Sequence, residues 1–390
     1  MPYDQARHLS AILPACASAL GYDLPTPVHP HPRADQEALG IPDARSILVV
    51  LVDGLGFHNL DERKGHAPFL RSLLKQKVNS RPISTCLPST TPVAMATFGT
   101  GTAPGLTCMT AYKQLNAEED LVCQLIQFIN TPQPEDLQRI PTIFERLVSA
   151  GVRVSAPGMA KFQGSGLTRA ALRGPDYIVG RTMADRVKAA ILCSRQPGLT
   201  YFYIPDVDKA GHEYGVDSDQ WVAALEKTDK ALSLIRQNLP VGTVMVVTAD
   251  HGMINSDPHS RIDIAQEPVL RKGIRLVAGE PRNRMLYVYG ETRQEKDAQA
   301  EEVAARYRAF LGNLVQVFLK EEAIDRGFYG PPDLVTDRAR EILGDVIVLA
   351  QGSTTLVDTR YETDQATRLP SVHGSNSQRE EGIPFLLERI

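Results

Sequence analysis

Three uninterrupted apolar runs constrain this chain more than any other feature: Ser46-Ile-Leu-Val-Val-Leu-Val52, Leu199-Thr-Tyr-Phe-Tyr-Ile204 and Val244 to Thr248. A strand with one face in water alternates apolar and polar residues. Ser46 to Val52 does not, so it needs cover on both faces, and the other two runs read as further strands. Helix-patterned segments lie between them. Ala67 to Lys75 carries such a pattern, and Pro92 to Thr97 places a proline in its first turn, where a missing N–H costs nothing. Thr142 to Val148 is amphipathic and is stopped by Gly151, and Met183 to Cys193 follows. Asp217 or Ser218 can cap a helix whose Trp221, Leu225, Ala231, Leu232 and Ile235 form one stripe. Val152 to Ser155 and Ile83 to Leu87 read as further strands. The alternation predicts an α/β fold: a doubly wound, mostly parallel sheet with helices on both faces.

The stretch from Ile274 to Leu349 has a different texture. Arg284-Met-Leu-Tyr-Val-Tyr289 alternates like a half-exposed strand, Lys296 to Leu311 is a charged amphipathic helix, and Leu314 to Phe318 is again a strand. The reading is a smaller inserted α+β lobe with a βαβ-like order. The expected layout is a lead-in over 1–45, a core over 46–273, the lobe over 274–349, and a return to the core over 350–390.

The formal net charge of −4 gives no reason to expect a nucleic-acid groove, and no apolar run nears the ~20 residues of a bilayer span. Arg7, His8 and the run Ala11 to Cys16 faintly resemble a lipoprotein cleavage site, but Pro14 interrupts a short run, and a helix at the domain edge is expected. The five cysteines, Cys16, Cys86, Cys108, Cys123 and Cys193, are odd in number and widely spaced. That is no disulfide framework, so a reducing, cytoplasmic setting is expected.

Open α/β sheets bind ligands beyond the carboxyl ends of their strands. Three carboxylates and two imidazoles fall there: Asp53, the pair Asp208 and His212, and the pair Asp250 and His251; His373 adds a third imidazole. Asp208 and His212 are four apart and share one helical face. A bend after the strand would let the adjacent Asp250 and His251 converge. Such a set suits two divalent cations, zinc first and manganese as the alternative. Ser89, Thr90 and Thr91 each offer a hydroxyl at a helix N-terminus, where cation and dipole favour an alkoxide; capping of the helix is the competing use.

The ordered motifs Val-Asp53-Gly, Pro-Ser-Thr-Thr91, Pro-Asp-x-Asp208-x-x-Gly-His212, Ala-Asp250-His251-Gly and Val-His373-Gly resemble the alkaline phosphatase superfamily. Within it they look most like the bacterial nucleotide pyrophosphatase/phosphodiesterase branch, and the Gly- and Pro-rich segment Thr97 to Gly105 adds to the likeness. The resemblance implies one cation held by Asp208, His212 and His373 and another by Asp53, Asp250 and His251, with Thr91 bridging to the second as nucleophile. It implies Asp208 rather than Asp206 as the ligand. It further implies a hydrolase of small phosphoesters or nucleotides working through a covalent phosphothreonine. Phosphomonoester and phosphonate hydrolysis are sister possibilities, and a metal-stabilised binding protein is the reading from outside enzymes. One departure matters. Where relatives often carry an asparagine three residues after the nucleophile, this chain has Ala94; Lys113 is the candidate replacement as a substrate contact. A sulfatase turn would need arginine where Thr90 stands. No arginine lies near Thr91 in sequence, which favours diesters over monoesters.

Overall fold

The computed structural model describes residues 3–390. Its central sheet has six strands in the order Phe385–Arg389, Val244–Thr248, Ser46–Val52, Gly198–Ile204, Val154–Gly158, Asp176–Val179. The inner strands are parallel: Ile47 lies beside Val244 on one side and Leu199 on the other. Ser46–Val52 is buried along its whole length, as its unbroken apolar run requires. Helices cover both faces. On the Tyr201 side, Phe98 and Phe144 each bring their ring centroids to 5.6 Å from that tyrosine.

Local signals set the helix starts. Thr142 with Glu145 and Thr182 with Asp185 form reciprocal capping boxes before Ile143–Ser149 and Met183–Cys193. Ser218 caps Asp219–Asn238, while Asp217 takes a left-handed φ of 74°. The two edge strands carry no comparable signal. Asp176–Val179 is short and only half-buried, and Phe385–Arg389, antiparallel to Val244–Thr248, ends in charged residues.

A second sheet is wholly antiparallel, ordered Ile274–Glu280, Asn283–Val288, Val346–Ala350, Val315–Leu319. Asn283–Val288 and Val315–Leu319 are each antiparallel to Val346–Ala350 and so parallel to one another, which keeps the βαβ-like order in a split form. Helix Arg293–Leu311 joins Asn283–Val288 to Val315–Leu319, and Val346–Ala350 inserts between them. Both faces of Asn283–Val288 are buried, through the period-two alternation of a strand. Leu286 and Val288 pack with Val303 and Tyr307 of the helix, whereas Met285 and Tyr287 join the main core.

The N-terminal helix Ile12–Ala19 is buried throughout, and Cys16 lies within the main core. Among the described residues no helix is long and apolar enough to cross a membrane.

Candidate metal centre

The parallel strands deliver the expected groups to one end of the sheet. Asp53 follows Ser46–Val52 directly, Asp250 follows Val244–Thr248, and Asp208 and His212 ride on helix Asp206–Tyr214 after Gly198–Ile204. Backbone bonds fix their spacing: Asp53 N–H donates to the Ile204 carbonyl at 2.9 Å, and Asp208 N–H to the Asp53 carbonyl at 3.1 Å. Gly54 is needed here, since it holds φ at 69° and a Cβ there would come within 2.8 Å of Asp208 Cα. His373 arrives from the far end of the chain, after Ser371–Val372 pairs with Ile254–Asn255.

All six ligand candidates converge. His212 Nε2 lies 3.4 Å from Asp208 Oδ1 and 3.2 Å from His373 Nε2. His251 Nε2 lies 3.6 Å from Asp53 Oδ1 and 3.5 Å from Asp250 Oδ2, with Thr91 Oγ1 at 3.2 Å. The two groups share a wall: the His251 and His373 rings stack with centroids 3.6 Å apart. Asp208, His251 and His373 also present donor atoms within 4.8 Å of one another, as do Asp53, Asp250 and His251.

Each imidazole sets its Nδ1 against a backbone carbonyl: His212 on Ser371 at 2.8 Å, His373 on Ser89 at 2.8 Å, His251 on Gly252 at 3.2 Å. A carbonyl only accepts, so Nδ1 carries the hydrogen and each Nε2 turns a lone pair inward. The carboxylates behave alike. Asp53 Oδ1, Asp208 Oδ1 and Asp250 Oδ2 are buried without a hydrogen-bond partner. The second oxygen of Asp53 accepts from the Tyr203 hydroxyl, and that of Asp250 from the Gly54 and His251 N–H groups at 3.1 and 3.0 Å. Acceptor atoms facing one another in a largely buried pocket are costly unless a cation lies among them.

Burial pushes Asp208 and Asp250 up to about 7 and Asp53 well above the carboxylate range, and holds His251 down at about 3. His373 is likewise well below the ordinary imidazole value, by burial and by its histidine neighbours. The metal-free pocket therefore favours neutral groups. A carboxyl with a raised folded-state pKa binds its proton more tightly folded than unfolded, so its stabilisation is lost as pH climbs through the folded value. The lowered imidazoles act oppositely, but only below their unfolded value of 6.5. Glu280 and Glu381, pushed up to about 8 by burial, act with the aspartates. Metal-stripped protein should thus lose unfolding temperature between pH 6.5 and 8, and calorimetry in chelator should show it; a rise across that window would contradict the assignment.

Of the three hydroxyls, only Thr91 reaches the cluster. Ser89 is fully buried, donates to the Ser375 carbonyl at 2.8 Å and accepts from Gly374 N–H, which ties it to the His373 turn. Thr90 stands at the N-cap of helix Thr91–Thr100, yet its side chain makes no capping bond. The capping expected of one of these hydroxyls is therefore not made. Lys113 is not drawn into the cluster: its ammonium lies 3.4 Å from Glu362, which Arg284 grips with two bonds of 3.0 and 2.6 Å. Three contributors were missed in the sequence, Tyr203, Arg282 and Glu380. Only Tyr203 left a signal, a hydroxyl one residue from the carboxyl end of the strand Gly198–Ile204.

The model of the type I phosphodiesterase/nucleotide pyrophosphatase family matches residues 47–376. The chain belongs to this family of phosphoester hydrolases. Among solved structures, human ectonucleotide pyrophosphatase/phosphodiesterase 5 is similar at a TM-score of 0.66 and 18% identity, covering 88% of this chain and 87% of that one. An inactive threonine-to-alanine variant of the murine counterpart, in complex with AMP, gives 0.68 and 17%, covering 87% of each chain. Phosphonoacetate hydrolase from Sinorhizobium meliloti 1021, in complex with phosphonoformate, gives 0.66 and 21%, covering 89% and 91%. These likenesses establish the fold. A phosphopentomutase of Anaeromyxobacter dehalogenans (strain 2CP-C) is 33% identical over 127 residues, a match spanning only 31% of either protein.

Proposed function

We propose that the chain hydrolyses small phosphodiesters or nucleotide pyrophosphates with two zinc ions, through a covalent phosphothreonine on Thr91. The observation that carries this reading is the set of three orphaned carboxylate oxygens and three inward Nε2 atoms in one pocket. Asp208, His212 and His373 would hold one ion, and Asp53, Asp250, His251 and Thr91 the other. Bound there, two divalent cations would supply Lewis acidity toward the threonine oxygen, the phosphoryl oxygens and the departing oxygen. Three carboxylates and a Thr91 alkoxide carry as much negative charge as two such ions carry positive.

Thr91 Oγ1 attacks phosphorus in line, forming the Oγ1–P bond as the P–O bond to the leaving alcohol breaks. The hydroxyl proton passes to solvent, the departing alkoxide takes one up, and water then cleaves the phosphothreonine and restores Thr91. The helix helps at its first turn. Ala94 N–H donates back to the Thr90 carbonyl at 2.9 Å, so the N–H groups of Thr91 and Val93 remain for phosphoryl oxygens. They take the place of the side-chain donor that Ala94 lacks.

A monoester brings a second negative charge, and no arginine pairs with Thr91 to meet it. Lys113 would reach a substrate only by leaving Glu362. This favours diesters. The inactive murine variant lends weight to a threonine nucleophile and a nucleotide-sized substrate. All five cysteines are free and buried, which suits a reducing cytoplasm.

Hydrolysis of bis(p-nitrophenyl) phosphate and of p-nitrophenyl phosphate, with and without chelator, tests the reading. The diester should turn over faster, chelation should abolish both rates, and added zinc should restore them. A preference for the monoester would overturn the diester assignment, and indifference to chelation would overturn the metal centre.

A further inference from the structure

Each carboxylate beside Thr91 presents one oxygen to the pocket and has the other engaged. For Asp250 the engaged oxygen takes two backbone N–H groups, which no substitution removes. For Asp53 it takes a single side chain, the hydroxyl of Tyr203. The contact follows from sheet register. Tyr203 pairs with Leu51 across the parallel ladder, so it shares a face with Asp53 two residues further on. Phe162 closes over the phenol edge-on, with ring centroids 5.7 Å apart.

Four donor atoms are left around this position: Asp53 Oδ1, Asp250 Oδ2, His251 Nε2 and Thr91 Oγ1. A four-donor set of mixed nitrogen and oxygen is what zinc takes readily, whereas manganese prefers more oxygens. A freed Asp53 Oδ2 would add a fifth donor. We infer that Tyr203 is a positioning residue that confines Asp53 to one-oxygen coordination and thereby fits this cation site to zinc over manganese. The inference rests on the two-cation reading above.

Wild-type protein and Tyr203→Phe, both stripped with chelator, are titrated calorimetrically with zinc and with manganese, and their metal-free unfolding temperatures are compared. Loss of an outer partner to a metal ligand typically weakens binding roughly ten- to a hundredfold, so that drop is expected for zinc at one of two sites. Manganese should hold its affinity or gain, and the metal-free unfolding temperature should stay near wild type. An unchanged zinc-to-manganese ratio, or an equal loss for both metals, would overturn the role of Tyr203. Wild-type protein that binds neither metal would instead overturn the metal centre itself.

Discussion

Thr91→Ala is expected to lower kcat/KM on bis(p-nitrophenyl) phosphate by at least about a thousandfold, since loss of a nucleophile removes the covalent route altogether. The protein should still fold and keep the zinc held by Asp208, His212 and His373, with the second zinc bound more weakly for want of the Thr91 donor. Thr91 Oγ1 lies 3.2 Å from His251 Nε2, a group of the pocket. Neither neighbouring hydroxyl can take its place. Ser89 is bonded to the Ser375 carbonyl, and Thr90 is sealed in the core with its oxygen unpartnered. Thr91→Ser should keep part of the rate, because the oxygen stays while the methyl that limits its rotamers goes. Steady-state assays at saturating zinc decide the matter. A Thr91→Ala rate within tenfold of wild type would move the nucleophile elsewhere.

That prediction could be framed from the sequence because the candidate groups sit where strand chemistry announces them. A run such as Ser46–Val52 has one stable use, a strand covered on both sides, and the residue at its carboxyl end is delivered to the crevice whatever the loops do. Asp53 and Asp250 were legible for that reason, and Asp208 with His212 because a four-residue spacing shares a helical face. His373 is legible only through the ordered motifs, since Ser371–Val372 is too short to leave a period. What stayed hidden depends on partners far apart in the chain. The place of Val346–Ala350 between two earlier strands is a choice of register and order, and its apolar run would suit several neighbours. The engagement of Tyr203 with Asp53 needs the parallel pairing of two strands separated by more than a hundred residues. Which of Ser89, Thr90 and Thr91 would cap the helix was left open by the sequence, and Thr90, at the N-cap, makes no capping bond.

The tie between the two histidine turns is equally invisible in sequence, and it carries the second large prediction. Arg282 and Glu380 are fully buried and joined by bonds of 3.0 and 2.9 Å. Each nitrogen of Arg282 and each carboxylate oxygen of Glu380 is engaged: Glu380 also accepts from Ser375 N–H at 2.9 Å and from Ser377, and Arg282 donates to the Thr354 carbonyl at 2.6 Å. The Glu380 carbonyl takes Gly252 N–H at 2.9 Å, and a Cβ on Gly252 would stand 1.9 Å from the Arg379 carbonyl oxygen. One residue therefore anchors the turn after His251 through its backbone and the turn after His373 through its side chain. Arg282→Met strands the Glu380 charge in the interior and should cost roughly 3–5 kcal/mol of stability, read by denaturant unfolding. Removing both charges with Arg282→Met and Glu380→Leu should return much of that loss, because neither variant side chain then needs a partner. It should not return full zinc affinity, because Ser375 N–H and Ser377 still lose the carboxylate that fixes the His373 turn. Stability of the single variant within 1 kcal/mol of wild type, well short of the usual penalty for a stranded buried charge, would show that the pair is not what holds these turns together.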